Sequence, residues 1–176
     1  ACALSIRNIR QSREIRGGRP LYFPGPTCYR NLWIVDSAFI LEVETVLGGA
    51  ADARAGIEHL LGLQAADGRF ELIERAHKEN GIMLWACVRH ARLTRDRRWL
   101  RSVWPRLQRA VDYIRTLRRR SLENDTPLDD GLMPDGFPDG GLDGHSRPEY
   151  ANTCWNLLGL KAAIRAQMEA LPFAPR

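Results

Sequence analysis

HKENGIMLWACVRHARLTRDRRWLRSVWPRLQRAVDYI (residues 77–114) decides how the rest of the chain is read. Its first half, from about Asn80 to Leu93, puts Ile82, Leu84, Trp85, Cys87 and Val88 on more than one helical face. A helix with that pattern is buried on several sides. TRDRR is a polar turn. The second half, about 97–119, repeats Leu100, Val103, Trp104, Leu107, Val111 and Ile114 at i, i+3, i+4, i+7, with Arg opposite. That is a one-sided amphipathic helix. Pro105 falls in its first turns, where proline is tolerated.

The same contrast recurs on either side. LWIVDSAFILEVETVL (32–47) is apolar on nearly every side and stops at Gly48 and Gly49. ADARAGIEHLLGLQ (51–64) has one stripe of Ala53, Ile57, Leu60, Leu61 and Gln64. The final helix, about 149–169, carries Tyr150, Cys154, Trp155, Leu157, Leu158, Leu160 and Ile164 around several faces. Many-sided and one-sided helices therefore alternate, as a barrel of helical hairpins requires. The expected fold class is all-α: about five helices forming part of an (α/α)6 toroid over 31–170. Residues 1–30 read as an irregular segment punctuated by Gly17, Gly18, Pro20, Pro24, Gly25 and Pro26.

Composition narrows the partners. The chain has 176 residues, 44% hydrophobic and 27% charged, enough for one domain with a core. The net charge of +5 is almost wholly Arg, since only Lys78 and Lys161 are lysines. Arg115, Arg118, Arg119 and Arg120 read as a solvated helix C-terminus, and aromatics are not interleaved with arginines as single-strand binders need. No nucleic-acid partner is expected, and with no apolar run near a membrane span, no membrane partner either. Cys2, Cys28, Cys87 and Cys154 lack a zinc-ligand spacing. Cys87 and Cys154 read as buried thiols, leaning toward a reducing, cytoplasmic compartment. No metal or other cofactor is expected.

Four groups could carry chemistry. Trp33 and Asp36 lie three apart at the start of the first many-sided helix. An indole stacks on pyranose C–H groups while a carboxylate accepts from hydroxyls; a core Trp beside a first-turn Asp fits equally. The long loop GLMPDGFPDGGLDGHSRPEYAN (131–152) holds Asp135, Asp139 and Asp143. Carboxylates on such a loop ahead of a buried helix suit a general acid, and also suit a solvated turn. Glu149, Asn152 and Trp155 share roughly one face at the start of the last helix. Glu79 and Asn80 open the central one, with Asn80 a candidate N-cap and His77 a candidate supporting group. All four groups sit at the N-terminal ends of the many-sided helices, which converge on one mouth in a helical-hairpin barrel.

WIVDSAFILE, HKENGIMLWACVRHARLTRDRRWLRSVWPRLQRAVDYI and PDGGLDGHSRPEYANTCWNLLGLKAA resemble the six-hairpin glycosidase superfamily, specifically bacterial glucoamylase-like and glycogen-debranching-like proteins. Trp33 and Asp36 match its W-x-x-D motif, although Val35 stands where many members carry Arg. The resemblance implies a glycoside hydrolase acting on an α-linked oligo- or polysaccharide. It implies Asp139 as general acid, with Asp135 behind it, and Trp33, Asp36, Glu149, Asn152 and Trp155 as sugar contacts; Glu79 and Asn80 join them as candidates by their position at the start of the central helix. Inverting chemistry needs a second carboxylate about 6.5–9.5 Å away, which the resemblance puts beyond Arg176. The expectation is about half a barrel lacking its general base, with further hairpins or another chain covering an apolar face. A same-fold epimerase or lyase, and a truncated sugar-binding or helical scaffold, are the alternatives. An epimerase would want paired histidines, for which only His77 and His145 are candidates.

Overall fold

The computed structural model describes residues 2–25, 27–123, 132–137 and 148–170. It is mostly helical, broadly all-α, with one small two-stranded sheet. The elements are α1 (Cys2–Gln11), β1 (Arg13–Arg16), β2 (Arg19–Tyr22), α2 (Ile34–Val46), α3 (Ala50–Gly62), α4 (Lys78–Thr94), α5 (Arg97–Glu123) and α6 (Tyr150–Ala170).

The N-terminal segment corrects the sequence reading. Instead of irregular chain it forms a helix and an antiparallel hairpin, with Arg13 opposite Tyr22 and Arg16 opposite Arg19. Gly17 and Gly18 both take positive φ, 56° and 74°, the backbone that a two-residue turn of right-handed twist demands. Leu21, Tyr22 and Phe23 are buried, and β2 packs against α3.

α2, α4 and α6 lie side by side with α4 in the middle, and α3 and α5 pack behind them. The three run parallel. Phe39 meets Trp85 midway along α2 and α4, and Thr45 meets His90 late in both. Gly81 of α4 touches Trp155 of α6, and farther along Arg92 approaches Glu169. α4 is buried almost all round, leaving a stripe of Trp85, Arg89 and Arg92 accessible along its length and Leu93 and Thr94 at its end. Its Gly81 and the Gly159 of α6 let the two backbones touch: a Cβ on Gly81 would lie 2.2 Å from Trp155 O.

α4 ends at Arg95, left-handed at φ 56°, and Asp96 starts α5 by accepting the Trp99 N–H at 2.8 Å. Asp96 also receives Arg54 of α3 at 2.7 Å, and Trp99 Nε1 donates to Glu58 of α3 at 2.9 Å. These contacts tie α3 and α5 together behind the three-helix layer. A single core of Ile34, Leu41, Ile57, Leu60, Ile82, Leu84, Leu107 and Ile114, with others, fills the space between the two layers. Burying side chains of this size favours the fold by roughly 1.5–3 kcal/mol each before entropy.

Burial is incomplete at the flanks. α2 exposes Phe39, Val43 and Val46, and α6 exposes Leu157, Leu158, Ile164 and Met168. Cys87 is buried as expected, but Cys154 is exposed. Its position on the open side of α6 is the reason.

Candidate functional site

The N-terminal ends of α2, α4 and α6 gather around Lys78. Its side chain is buried, which lowers the ammonium pKa; the carboxylates of Glu149, Glu79 and Asp36, in that order, act the other way. Each of those acids stands at the start of a different helix of the layer. Lys78 Nζ also sits 5.9 Å from the Phe137 ring centroid, a cation–π distance.

Trp33 is the residue preceding α2, in extended conformation and without a side-chain cap. It is half-buried, and its indole N–H has no hydrogen-bond partner among the described residues. Asp36 is in the first turn of α2 and exposed. Glu149 directly precedes α6 and is half-buried. Trp155 is half-buried in an aromatic trio, 5.6 Å from Phe39 and 6.1 Å from Trp85 between ring centroids. Edge-on geometry of this kind fixes the rings while leaving part of each accessible.

Other residues singled out from the sequence serve the framework. Asn80 is not the N-cap of α4; that position is His77, which makes no side-chain cap. Asn80 is buried, accepts from the Phe70 N–H at 2.8 Å and donates to His77 O at 3.0 Å. Both ends of its amide hold the incoming loop, so neither faces solvent. Glu79 is likewise fully buried. Its Oε2 accepts the Leu72 N–H at 2.5 Å, and burial raises its pKa to about 7. Asn152 is buried and accepts the Lys78 N–H at 2.9 Å, clipping α6 to α4. Asn156, not singled out from the sequence, donates to His77 O at 3.0 Å. Glu79 Oε1, Asn152 Nδ2, Asn156 Oδ1 and Trp33 Nε1 are all buried without a partner among the described residues. Such atoms are uncommon in folded proteins and call for an explanation.

A cavity of about 720 Å³ opens at the same end, between the start of α4 and the end of α5. His77 and Glu71 are buried in its wall, with Nδ1 and Oε1 at 2.7 Å. Tyr113 OH donates to the same Glu71 oxygen at 3.2 Å. Burial, helped by Glu71, pushes the Tyr113 phenol up to about 12. His77 Nε2 lies 3.3 Å from Asp135 O. Asp135 itself is exposed and lines this cavity, on the outer side of the helix starts. Its segment is anchored by Met133 N–H to Thr153 Oγ1 at 2.9 Å and Phe137 N–H to Arg75 O at 2.9 Å. Gly136 permits that docking, because a Cβ there would come 2.7 Å from Arg75 O. Asp139, Asp143 and His145 lie outside the described residues. The sequence pattern around Glu71, ELIE, held no signal of its pairing with His77 and Tyr113.

No family model matches the chain, and neither a curated protein nor a solved structure does. Among the described residues no helix is long and apolar enough to cross a membrane. No described group of three His, Cys, Asp or Glu residues could hold a metal ion.

Proposed function

We propose that this chain is part of an (α/α)6 toroid of the glycosidase type and that it holds an α-linked glycan at the N-terminal ends of α2, α4 and α6. The observation that carries the reading is the convergence there of Asp36, Glu79 and Glu149 around Lys78, beside the half-buried Trp33 and Trp155. Sugar recognition pairs an apolar ring face with carboxylates that accept from hydroxyls. In this reading Trp33 and Trp155 supply the faces and Asp36 and Glu149 the acceptors. Glu79, Asn80 and Asn152 hold the helix starts in register, and the buried atoms of Glu79, Asn152 and Asn156 that lack a partner among the described residues, together with the Trp33 indole N–H, form the polar floor.

Asp139 is proposed as general acid with Asp135 as the alternative, for hydrolysis by general acid and base. The parallel inner helices and the paired outer ones are consistent with two hairpins and the first helix of a third. A second reading has one observation in its favour. The exposed apolar residues of α2 and α6 mark two edges where further hairpins or another chain would dock, which suits a sugar-binding scaffold without cleavage.

Calorimetric titration with maltohexaose separates binding from chemistry. Trp33→Ala should weaken binding by about tenfold, the loss of one stacking contact of roughly 1–2 kcal/mol. Binding indifferent to Trp33→Ala and Asp36→Asn together would sink the site. Where p-nitrophenyl α-glucoside is hydrolysed, Asp139→Asn should abolish the rate and leave maltohexaose binding intact; an unchanged rate removes Asp139 from the acid role.

A further inference from the structure

Beyond the mouth, the inner face of the layer continues as a groove of about 340 Å³ between α2, α4 and α6. Its walls change character along its length. Nearest the helix starts its wall is Trp85, a ring held in place by Phe39 and Trp155. Farther along it is cationic: Arg89 and Arg92 come from α4, Lys161 and Arg165 from α6, and Glu42 is the single carboxylate among the lining residues. Arg89 Nε pairs with Glu42 at 2.5 Å, and Arg92 is only 4.0 Å from Glu169. Lys161 and Arg165 are exposed and make no ion pair among the described residues.

Helix dipoles do not account for this charge. Their field acts within the last turn. Arg89 lies five residues before the end of α4, and Lys161 and Arg165 lie nine and five before the end of α6. Nor is it a solvated outer face. Arg89 and Arg92 lie on the stripe along α4 that its neighbours leave open, four and seven residues after Trp85. That run covers about 10 Å of helix, enough for two or three sugar rings in line.

We propose that this groove binds an anionic oligosaccharide, with a ring stacked on Trp85 and carboxylates held by Arg89, Arg92, Lys161 and Arg165. The inference rests on the reading of the mouth as a sugar site and names its substrate class: a glycan bearing uronate groups. Arginine forks match carboxylates in two-point geometry, and the aromatic section supplies a contact that an acidic peptide would not use.

The test uses the full chain and three probes: hexagalacturonate, maltohexaose and poly-L-glutamate, each titrated at low and at raised salt. Hexagalacturonate should bind more tightly than maltohexaose and lose affinity as salt rises. The exposed double substitution Lys161→Ala with Arg165→Ala should weaken hexagalacturonate about tenfold, the upper range for two exposed ion pairs, and leave maltohexaose unchanged. A matching thermal melt establishes that the variant is folded, and the salt response of the unaltered chain gives an independent reading. Equal affinity for both hexamers, indifferent to the substitution, overturns the anionic groove and leaves the sugar mouth standing. Poly-L-glutamate binding as tightly as hexagalacturonate overturns it in favour of a peptide site. Failure of both sugars to bind overturns this proposal and the mouth together.

Discussion

The two ends of α4 hold ionisable groups buried in opposite ways. At the start, Glu79 is a carboxyl whose pKa burial raises from 4.5 to about 7. Toward the end, His90 is an imidazole whose pKa burial lowers from 6.5 to about 4. Both are favoured neutral, since desolvation penalises whichever form is charged. Their surroundings differ. Glu79 lies among backbone N–H groups and amides that hold the mouth together. His90 is held by Thr45 and rests edge-on against Trp99 at 5.1 Å. The Thr45 hydroxyl donates to Leu41 O at 2.7 Å, so its oxygen accepts from His90 Nδ1–H at 3.0 Å, leaving Nε2 buried and without a partner among the described residues. The start of the helix is thus a polar scaffold that positions a site, and the later part is a sealed hydrophobic joint with a cationic outer stripe.

The sharpest way to break this contrast is to separate the helix starts. Gly81→Ala puts a Cβ 2.2 Å from Trp155 O and 2.5 Å from Asn156 Cα. Backbone is what it meets, so α4 and α6 must move apart, costing about 3 kcal/mol or more. Urea unfolding should show the loss, with sugar binding weakened alongside.

The titrations come next in size. Between pH 4.5 and 7 the folded chain keeps the Glu79 proton that the unfolded chain has lost. Glu79 therefore removes stability as pH rises through that window, by about 3 kcal/mol in full. His90 runs the other way. As pH falls from 6.5 to 4, the unfolded chain gains the imidazole proton first, and stability falls by a similar amount, about 3 kcal/mol. The slopes oppose each other across pH 4.5–6.5. Glu79→Gln should expose the His90 slope, so that the chain weakens on acidification. His90→Gln should expose the Glu79 slope, so that it weakens on alkalinisation. Urea midpoints at several pH values check both, and identical profiles in the two variants would contradict the assignment.

Two smaller effects sharpen the comparison. Asn152→Ala strips the partner from the buried Lys78 N–H and should cost about 1–3 kcal/mol. Arg92→Ala, on the exposed stripe, should stay within about 0.5 kcal/mol. A thermal melt distinguishes them, and equal losses would mean that the two ends do not differ as described.

The five helices from Ile34 onward were legible because their apolar spacing is set by which faces are covered. α5 shows this most plainly, with one buried stripe from Leu100 to Leu117 and arginines outside it. The hairpin at 13–22 escaped notice because REIR has one apolar residue and no alternation; only the Gly17–Gly18 pair marked it. Trp33, Asp36 and Glu149 were recognisable as residues at helix starts. The pairing of Glu71 with His77 was not, because it depends on how the loop from Gln64 folds back through Asn80. Glu79 and Asn152 carried the right polarity for a sugar contact, but burial between helices, which sequence cannot locate, assigns them to holding backbone.

The central claim is that sugar sits at the starts of α2, α4 and α6. Titrating isotope-labelled chain with maltohexaose while following nitrogen–proton resonances tests it most directly. The account predicts shifts at the indole N–H groups of Trp33 and Trp155 and at the amides opening α2 and α6, saturating together. Shifts confined to α3 and α5, or none at saturating sugar, would contradict it.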